Sequence, residues 1–267
     1  MSRIFLMLAL TVWAGTAQAR EVLRMAVTTS FHNSGLSDVL LPAIADDLGI
    51  EVQLLVVGTG QALKLGEGGD VDAILVHSRA AEEAFVAAGH APYRREIMFN
   101  DFVLIGPKND PHGLRGVGDA VAALRILAKA QAPFVSRGDD SGTHQKEQAL
   151  WRAAVLDPDT FGPWYKAVGA GMGAALNTAS GLDAHILSDR ASWLNFRNKG
   201  GLDLLLAGDP VLFNQYSFLP VNAARHPHVK STLAVRLEAW LTGPAARKLI
   251  NGYTLGGEQL FTFNAAD

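Results

Sequence analysis

Four short stretches of the 267-residue chain hold side chains suited to chemistry, and they are built alike. They are Thr28-Thr29-Ser30, Gly58-Thr59-Gly60-Gln61, His77-Ser78, and the longer run Ser136-Arg137-Gly138-Asp139-Asp140-Ser141-Gly142-Thr143. Serine and threonine hydroxyls rotate to meet oxygen lone pairs, and glycine lets the backbone come close to a guest. Arg137 is the only lysine or arginine in these runs, and its planar fork can grip two oxygens of a tetrahedral anion. Capture of a small oxyanion is the chemistry that such donors serve. Two plainer readings stand beside it: each hydroxyl is also a favoured helix cap, and Asp139 and Asp140 could simply neutralise Arg137. Recurrence at four places favours a shared ligand.

Each stretch follows an apolar run and precedes a helical pattern. Residues 22–27, 52–57 and 73–76 are near-continuous aliphatic runs, expected as strands buried on both faces. Helices are expected over 36–48, stopped by Gly49, over 61–65, and over 80–88, stopped by Gly89. A strand at 102–106 leads into a turn-rich loop. A helix at 117–130, a strand at 134–136 and a helix at 143–155 follow, and an apolar stretch at 216–221 precedes helices at 229–241 and 245–251. This alternation predicts an α/β fold with parallel strands. Two lobes are expected, residues 20–104 with 219–267 and residues 105–218, joined by two crossings. In an open parallel sheet the ligand site lies at the carboxyl ends of the strands, where helix N-termini offer unpaired amides and a partial positive charge.

Residues 1–19 differ from the rest: Arg3, an apolar run over 4–14 and Ala17-Gln18-Ala19 predict a cleaved signal peptide. The run is well short of the roughly 20 residues needed to span a bilayer. The formal charge is −3, and loss of Arg3 with the leader makes it −4. That balance argues against a nucleic-acid partner. It also leaves anion capture to local dipoles and placed cations. The chain has no cysteine, which excludes disulfides, thiol chemistry and a lipidated cysteine. A freely soluble periplasmic monomer without a cofactor is expected.

Enzyme signatures are missing: there is no Gly-x-Ser-x-Gly elbow, His-Glu-x-x-His motif or Walker loop. Gly169-Ala170-Gly171-Met172-Gly173 follows no evident strand, so it is expected to open a helix near the ligand rather than to bind a dinucleotide. His144 is expected to position its loop. Asp189 and Arg190 are expected to form a structural ion pair.

These residues resemble the TupA family, the binding proteins of tungstate ABC importers. The resemblance runs through 25–30, 57–63, 69–73, 100–107, 136–147 and 188–190. It implies a two-lobed periplasmic type II solute-binding fold with tungstate held between lobes that close on it. It also implies an inner-membrane permease driven by a cytoplasmic ATPase. Thr28, Thr29 and Ser30 match the family's threonine-rich first loop, and Arg137, Ser141 and Thr143 match its arginine-containing loop. Thr59 and Ser78 join the expected ligand set on the strand-end argument. Val27 and His185 depart from the family pattern, the first where the threonine run often extends and the second where tyrosine is common. Molybdate or another tetrahedral oxyanion is the near alternative ligand. A secreted phosphate- or sulfate-ester enzyme and a receptor-coupled sensor are the distant alternatives.

Overall fold

The structure is a computed structural model describing residues 20–139 and 141–266; the expected leader at 1–19 lies outside the described residues. The chain runs through β1 (Glu21–Thr28), α1 (Thr29–Asn33), α2 (Leu36–Leu48), β2 (Ile50–Val57), α3 (Thr59–Gly68), β3 (Ala73–Val76), α4 (Arg79–Ala87) and the long β4 (Arg95–Pro107). β1 lies between β2 and β3, parallel to both. Its side chains alternate between two cores. Leu23, Met25 and Val27 pack with Leu36, Leu40 and Ile44 of α2, whereas Ala26 packs with Ala62, Leu63 and Phe85 of α3 and α4. Burial on both faces is why these strands read as unbroken apolar runs. Gly49, left-handed at φ 68°, ends α2 and turns the chain into β2.

The second lobe holds α5 (Ala120–Ala130), β5 (Phe134–Ser136), α6 (Gly142–Ala153), β6 (Tyr165–Ala167), α7 (Met172–Leu182), β7 (His185–Asp189), α8 (Arg190–Asn195) and β8 (Leu202–Leu206). Then come β9 (Phe213–Pro220), α9 (Ser231–Leu241), α10 (Pro244–Gly252), the hairpin strands β10 (Thr254–Leu255) and β11 (Glu258–Gln259), and β12 (Thr262–Phe263). Here too the sheet is covered on both faces. Phe102 and Leu104 pack with Leu124, Leu150 and Trp151, while Val103 and Ile105 pack with Met172, Leu176 and Trp193.

The strand order is β2-β1-β3-β9-β4-β7-β5-β6, and β4 serves both lobes. Up to Asp101 it pairs with β9, and from Phe102, opposite Asp189, it pairs with β7. β9 pairs within the first lobe from Phe213 onward. Both crossings therefore come earlier in the chain than the expected 104/105 and 218/219. Apolar pattern reports burial but not which strand is the neighbour, and in β9 the polar pair Asn214-Gln215 separates Phe213 from the apolar residues that follow, so the start of the strand does not read as part of the run. Two further expectations are corrected. β6 does precede the glycine-rich segment, but it is only three residues long and mostly exposed. α5 starts at Ala120 because Asp119 caps it, accepting from the Ala122 amide at 2.8 Å.

The turn after β3 is held from beneath by a buried ion pair. Glu82 is fully buried and accepts from the Ser78 amide at 2.8 Å and from Arg94 Nε at 2.8 Å. Arg94 also reaches Glu96 and Ser217. Burial raises the Glu82 pKa and the Arg94 guanidinium opposes that shift. Arg94→Ala is expected to lower unfolding stability by about 3 kcal/mol, since it strands a buried carboxylate. Urea unfolding at neutral pH measures it, and a loss below the uncertainty of that method would show that water reaches Glu82.

Candidate functional site

The carboxyl ends of β1, β2, β3 and β5 meet at the seam between the lobes. Thr28 ends β1 and caps α1, its Oγ1 accepting from the Phe31 amide at 3.3 Å. Thr28 Oγ1 lies 3.1 Å from Ser30 Oγ, which in turn lies 3.0 Å from His77 Nε2. Thr29, half-buried, opens α1. Gly58 ends the β2 run with no side chain to cap α3, and Thr59 follows with its hydroxyl buried and unpartnered among the described residues.

From the second lobe, Arg137 is only 2 % exposed. Its Nε donates to the Ala170 carbonyl at 2.9 Å, so the glycine-rich segment does lie against the arginine, and its Nη2 pairs with Asp139. Ser141 caps α6, accepting from the His144 amide at 3.1 Å. Among the described residues Thr143 Oγ1 is buried without a partner, like that of Thr59. His144 Nδ1 lies 3.2 Å from Ser136 Oγ, which makes it a loop-positioning residue.

The lobes touch here. A Cβ built on Gly142 would lie 2.7 Å from His77 Nδ1 and 3.2 Å from Thr59 Oγ1, so only glycine allows this approach of α6 to the first lobe. Ser78 sits differently from the other expected residues. Its hydroxyl donates to Gln145 Oε1 on α6, bridging the lobes on the wall of a cavity of about 700 Å³ that also borders Arg79, Lys146 and Asn214.

Several polar residues at the seam were not singled out from sequence as site residues. His77 is 7 % exposed, its ring 4.7 Å from that of Tyr216. Burial lowers its pKa to about 4; Asn214 opposes the shift, while the charges of Arg137 and Lys146 add to it. Asn100 and Asn214 are cross-strand partners at the first crossing, and Asn214 Nδ2 donates to Asn100 Oδ1 at 2.6 Å. Among the described residues Tyr216 OH is buried without a partner. Polar residues inside otherwise apolar strands were the available signal.

Asp189 and Arg190 do not pair with each other. Asp189 is fully buried and caps α8, accepting from the Ser192 amide at 2.8 Å. Burial raises its pKa, and the bond from the Ser192 amide and the Arg137 charge oppose the rise. Arg190 instead forks onto Asp101 at 2.8 and 2.6 Å, tying the second lobe to the crossing strand. Consecutive residues at a helix start point to different sides, which a charge pattern in sequence does not convey. His185, buried in the second lobe, lies 3.1 Å from the Pro133 carbonyl oxygen through Nδ1.

α6 is anchored by Glu147, buried and accepting from Trp151 Nε1 at 3.1 Å and Tyr165 OH at 2.6 Å. Burial pushes its pKa from 4.5 to about 7. A carboxyl whose folded pKa is raised contributes stability that is fully present below about pH 4.5 and is lost as pH rises through about 7. Glu147→Gln keeps both bonds and has no charge to bury. The stability gap between the two proteins should move by roughly 3 kcal/mol in favour of the glutamine form between pH 4 and pH 8. Thermal unfolding of both across that range checks it; parallel curves would mean that Glu147 titrates normally.

Among the described residues no group of His, Asp or Glu could hold a metal ion, and no helix is long and apolar enough to cross a membrane. A family model described as the PBP superfamily domain matches residues 14–245. A tungstate-binding protein TupA from Peptoclostridium acidaminophilum is 44% identical over 253 residues, covering 93% of this chain and 88% of that protein. The crystal structure of the tungstate ABC transporter from Geobacter sulfurreducens superposes with a TM-score of 0.81 at 46% identity, covering 88% of this chain and 100% of that one. The tungstate-binding protein TupA from Desulfovibrio alaskensis G20 gives 0.81 at 45% identity, over 92% and 100%. Identity at this level along almost the whole length, on a shared fold, means that the chain belongs to the PBP superfamily and, within it, to the TupA family of tungstate-binding proteins.

Proposed function

We propose that the protein captures tungstate in the periplasm, after cleavage of its leader, and delivers it to a membrane permease driven by a cytoplasmic ATPase. The relatives are tungstate-binding and ABC-transporter proteins, a family of solute binders rather than enzymes. The observation that carries the ligand class is that the Thr59 and Thr143 hydroxyls are both buried and unpartnered among the described residues, Thr59 lying against Gly142 and Thr143 following it in the chain, with buried Arg137 in the adjoining loop. Buried hydroxyls without partners are costly, and a ligand of oxygen acceptors satisfies them.

Capping and ligand binding do not exclude each other. A hydroxyl that accepts an amide, as in Thr28 and Ser141, still has its own proton to donate. Thr28, Thr29, Ser30, Thr59, Arg137, Ser141 and Thr143 thus form the donor shell. Ser78, engaged with Gln145, serves as a clasp between closed lobes rather than as a donor to the anion. The dianion loses its water on entry, and the shell replaces that hydration. Molybdate, nearly the same size as tungstate, is the second ligand such a shell accepts.

Calorimetric titration of the leaderless, anion-stripped protein with tungstate, molybdate, sulfate and phosphate tests the proposal. Tight binding of tungstate, with sulfate and phosphate weak or absent, is the expected result. No heat with any of the four would end the oxyanion reading and leave the loops as ordinary helix caps.

A further inference from the structure

The expected donor shell is made of hydroxyls, amides and one guanidinium, yet the buried group that touches both lobes at the seam is an imidazole. We propose that His77 is itself a ligand of the oxyanion, presenting its Nδ1–H as a neutral donor while Ser30 holds the ring in that tautomer. The inference rests on the oxyanion reading above and changes one donor of its shell: the single Ser30 proton goes to Nε2, and the Nδ1 proton of His77 meets the anion in its place.

Four observations support it. Among the described residues Nδ1 is buried and has no partner within hydrogen-bonding geometry, although a buried ring nitrogen needs one. Nε2 is engaged, 3.0 Å from Ser30 Oγ. The ring cannot swing aside, because the rings of Tyr216 and Phe102 lie 4.7 and 6.1 Å from it. Finally, Nδ1 and Thr59 Oγ1 lie 2.7 and 3.2 Å from where a Cβ on Gly142 would stand, so the imidazole and the unpartnered threonine both border the start of α6 where the second lobe meets the first.

Proton counting selects the tautomer. A neutral imidazole carries one N–H and one lone pair. If Nε2 held the proton, the Nδ1 lone pair would face the anion's oxygens and repel them. When the Ser30 hydroxyl donates to Nε2, the proton sits on Nδ1 and both nitrogens are satisfied. Ser30 faces the ring from α1, Thr59 from α3, Phe102 from β4, Gly142 from α6 and Asn214 and Tyr216 from β9, with Arg137 and Lys146 as the charged neighbours. Two cations and deep burial keep the free ring neutral at physiological pH.

A neutral donor also sharpens selection. Tungstate, fully deprotonated, accepts from every group around it. A monohydrogen phosphate would turn an O–H toward a wall of donors, leaving two protons face to face.

Two side-chain amides separate the ring nitrogens in the test, since the amide nitrogen of asparagine falls near Nδ1 and that of glutamine near Nε2. Tungstate affinity of His77→Ala, His77→Asn and His77→Gln is measured by calorimetry, with thermal unfolding of each ligand-free protein. His77→Ala should weaken binding on the order of thirtyfold. His77→Asn should recover most of that loss and His77→Gln should not. The reverse order, with glutamine rescuing, would assign His77 to supporting Ser30 and overturn the proposal. Nitrogen-15 spectra of wild-type protein saturated with tungstate read the tautomer directly, whatever the variants do. A pyrrole-type Nδ1 supports the proposal, and a bare Nδ1 ends it. Wild-type binding that persists unchanged in both alanine and asparagine forms removes His77 alone, whereas a wild-type protein that binds no oxyanion removes the parent reading with it.

Discussion

Arg137→Ala lowers tungstate affinity a hundredfold or more, which corresponds to about 3 kcal/mol. The size follows from burial. Arg137 is 2 % exposed, so its contact with a dianion is made out of water, where removal of one partner leaves the other charge uncompensated. Its neighbours enlarge the effect. Asp139 pairs with Nη2, and the Arg137 charge opposes the rise in the pKa of buried Asp189, so the truncated site presents acidic groups to an anion. Arg137→Lys should recover only part of the loss. The Nε bond to the Ala170 carbonyl and the Nη2 pair with Asp139 orient a planar fork, and an ammonium cannot keep both while meeting a ligand. Calorimetry with the two variants measures this. Affinity within threefold of wild type in a folded Arg137→Ala protein would confine the arginine to neutralising Asp139.

The second large effect comes from one methyl group. In Gly142→Ala the new Cβ would lie 2.6 Å from His77 Cε1 and 2.7 Å from Nδ1, well inside contact distance. His77 cannot yield, because Tyr216 and Phe102 pack against its ring. The clash exists only where the lobes meet. Position 142 opens α6 and its φ lies outside the left-handed region, so with the lobes apart alanine is tolerated there and gains up to about 1 kcal/mol in helix preference. The expected signature is a ligand-free protein at least as stable as wild type whose affinity for tungstate falls a hundredfold or more. Small-angle scattering with excess tungstate should show a radius of gyration that no longer contracts. A lowered melting temperature with unchanged affinity would mean that the seam is a permanent interface and not one that closes on the ligand.

Much of this protein is determined by local pattern. The unbroken aliphatic runs give the buried parallel strands because both sheet faces are covered, and Gly49 ends α2 because only the left-handed turn it allows leads directly into β2. Hydroxyls at helix starts mark Thr28, Thr59, Ser141 and Thr143, and parallel strands gather Thr28 and Thr59 at one edge of the first lobe, whereas Ser141 and Thr143 face them only because β5 runs opposite to β1 across the antiparallel crossings of β4 and β9. The family, too, was legible from those stretches. What only the tertiary structure decided are relations between distant residues. Ser78 looks in sequence like another donor, yet its hydroxyl is taken by Gln145, which lies in the other lobe. Asp189 and Arg190, adjacent in the chain, serve separate partners because the helix start turns them apart. β6 is too short and exposed to register as an apolar run, and the crossing at Asp101 and Phe102 is a change of neighbour within one continuous strand. His77, Asn100, Asn214 and Tyr216 become a buried polar cluster only when β3, β4 and β9 lie side by side. Hydrophobic period and capping chemistry are encoded within a few residues, but the partner of a buried polar group is chosen by how the chain closes on itself.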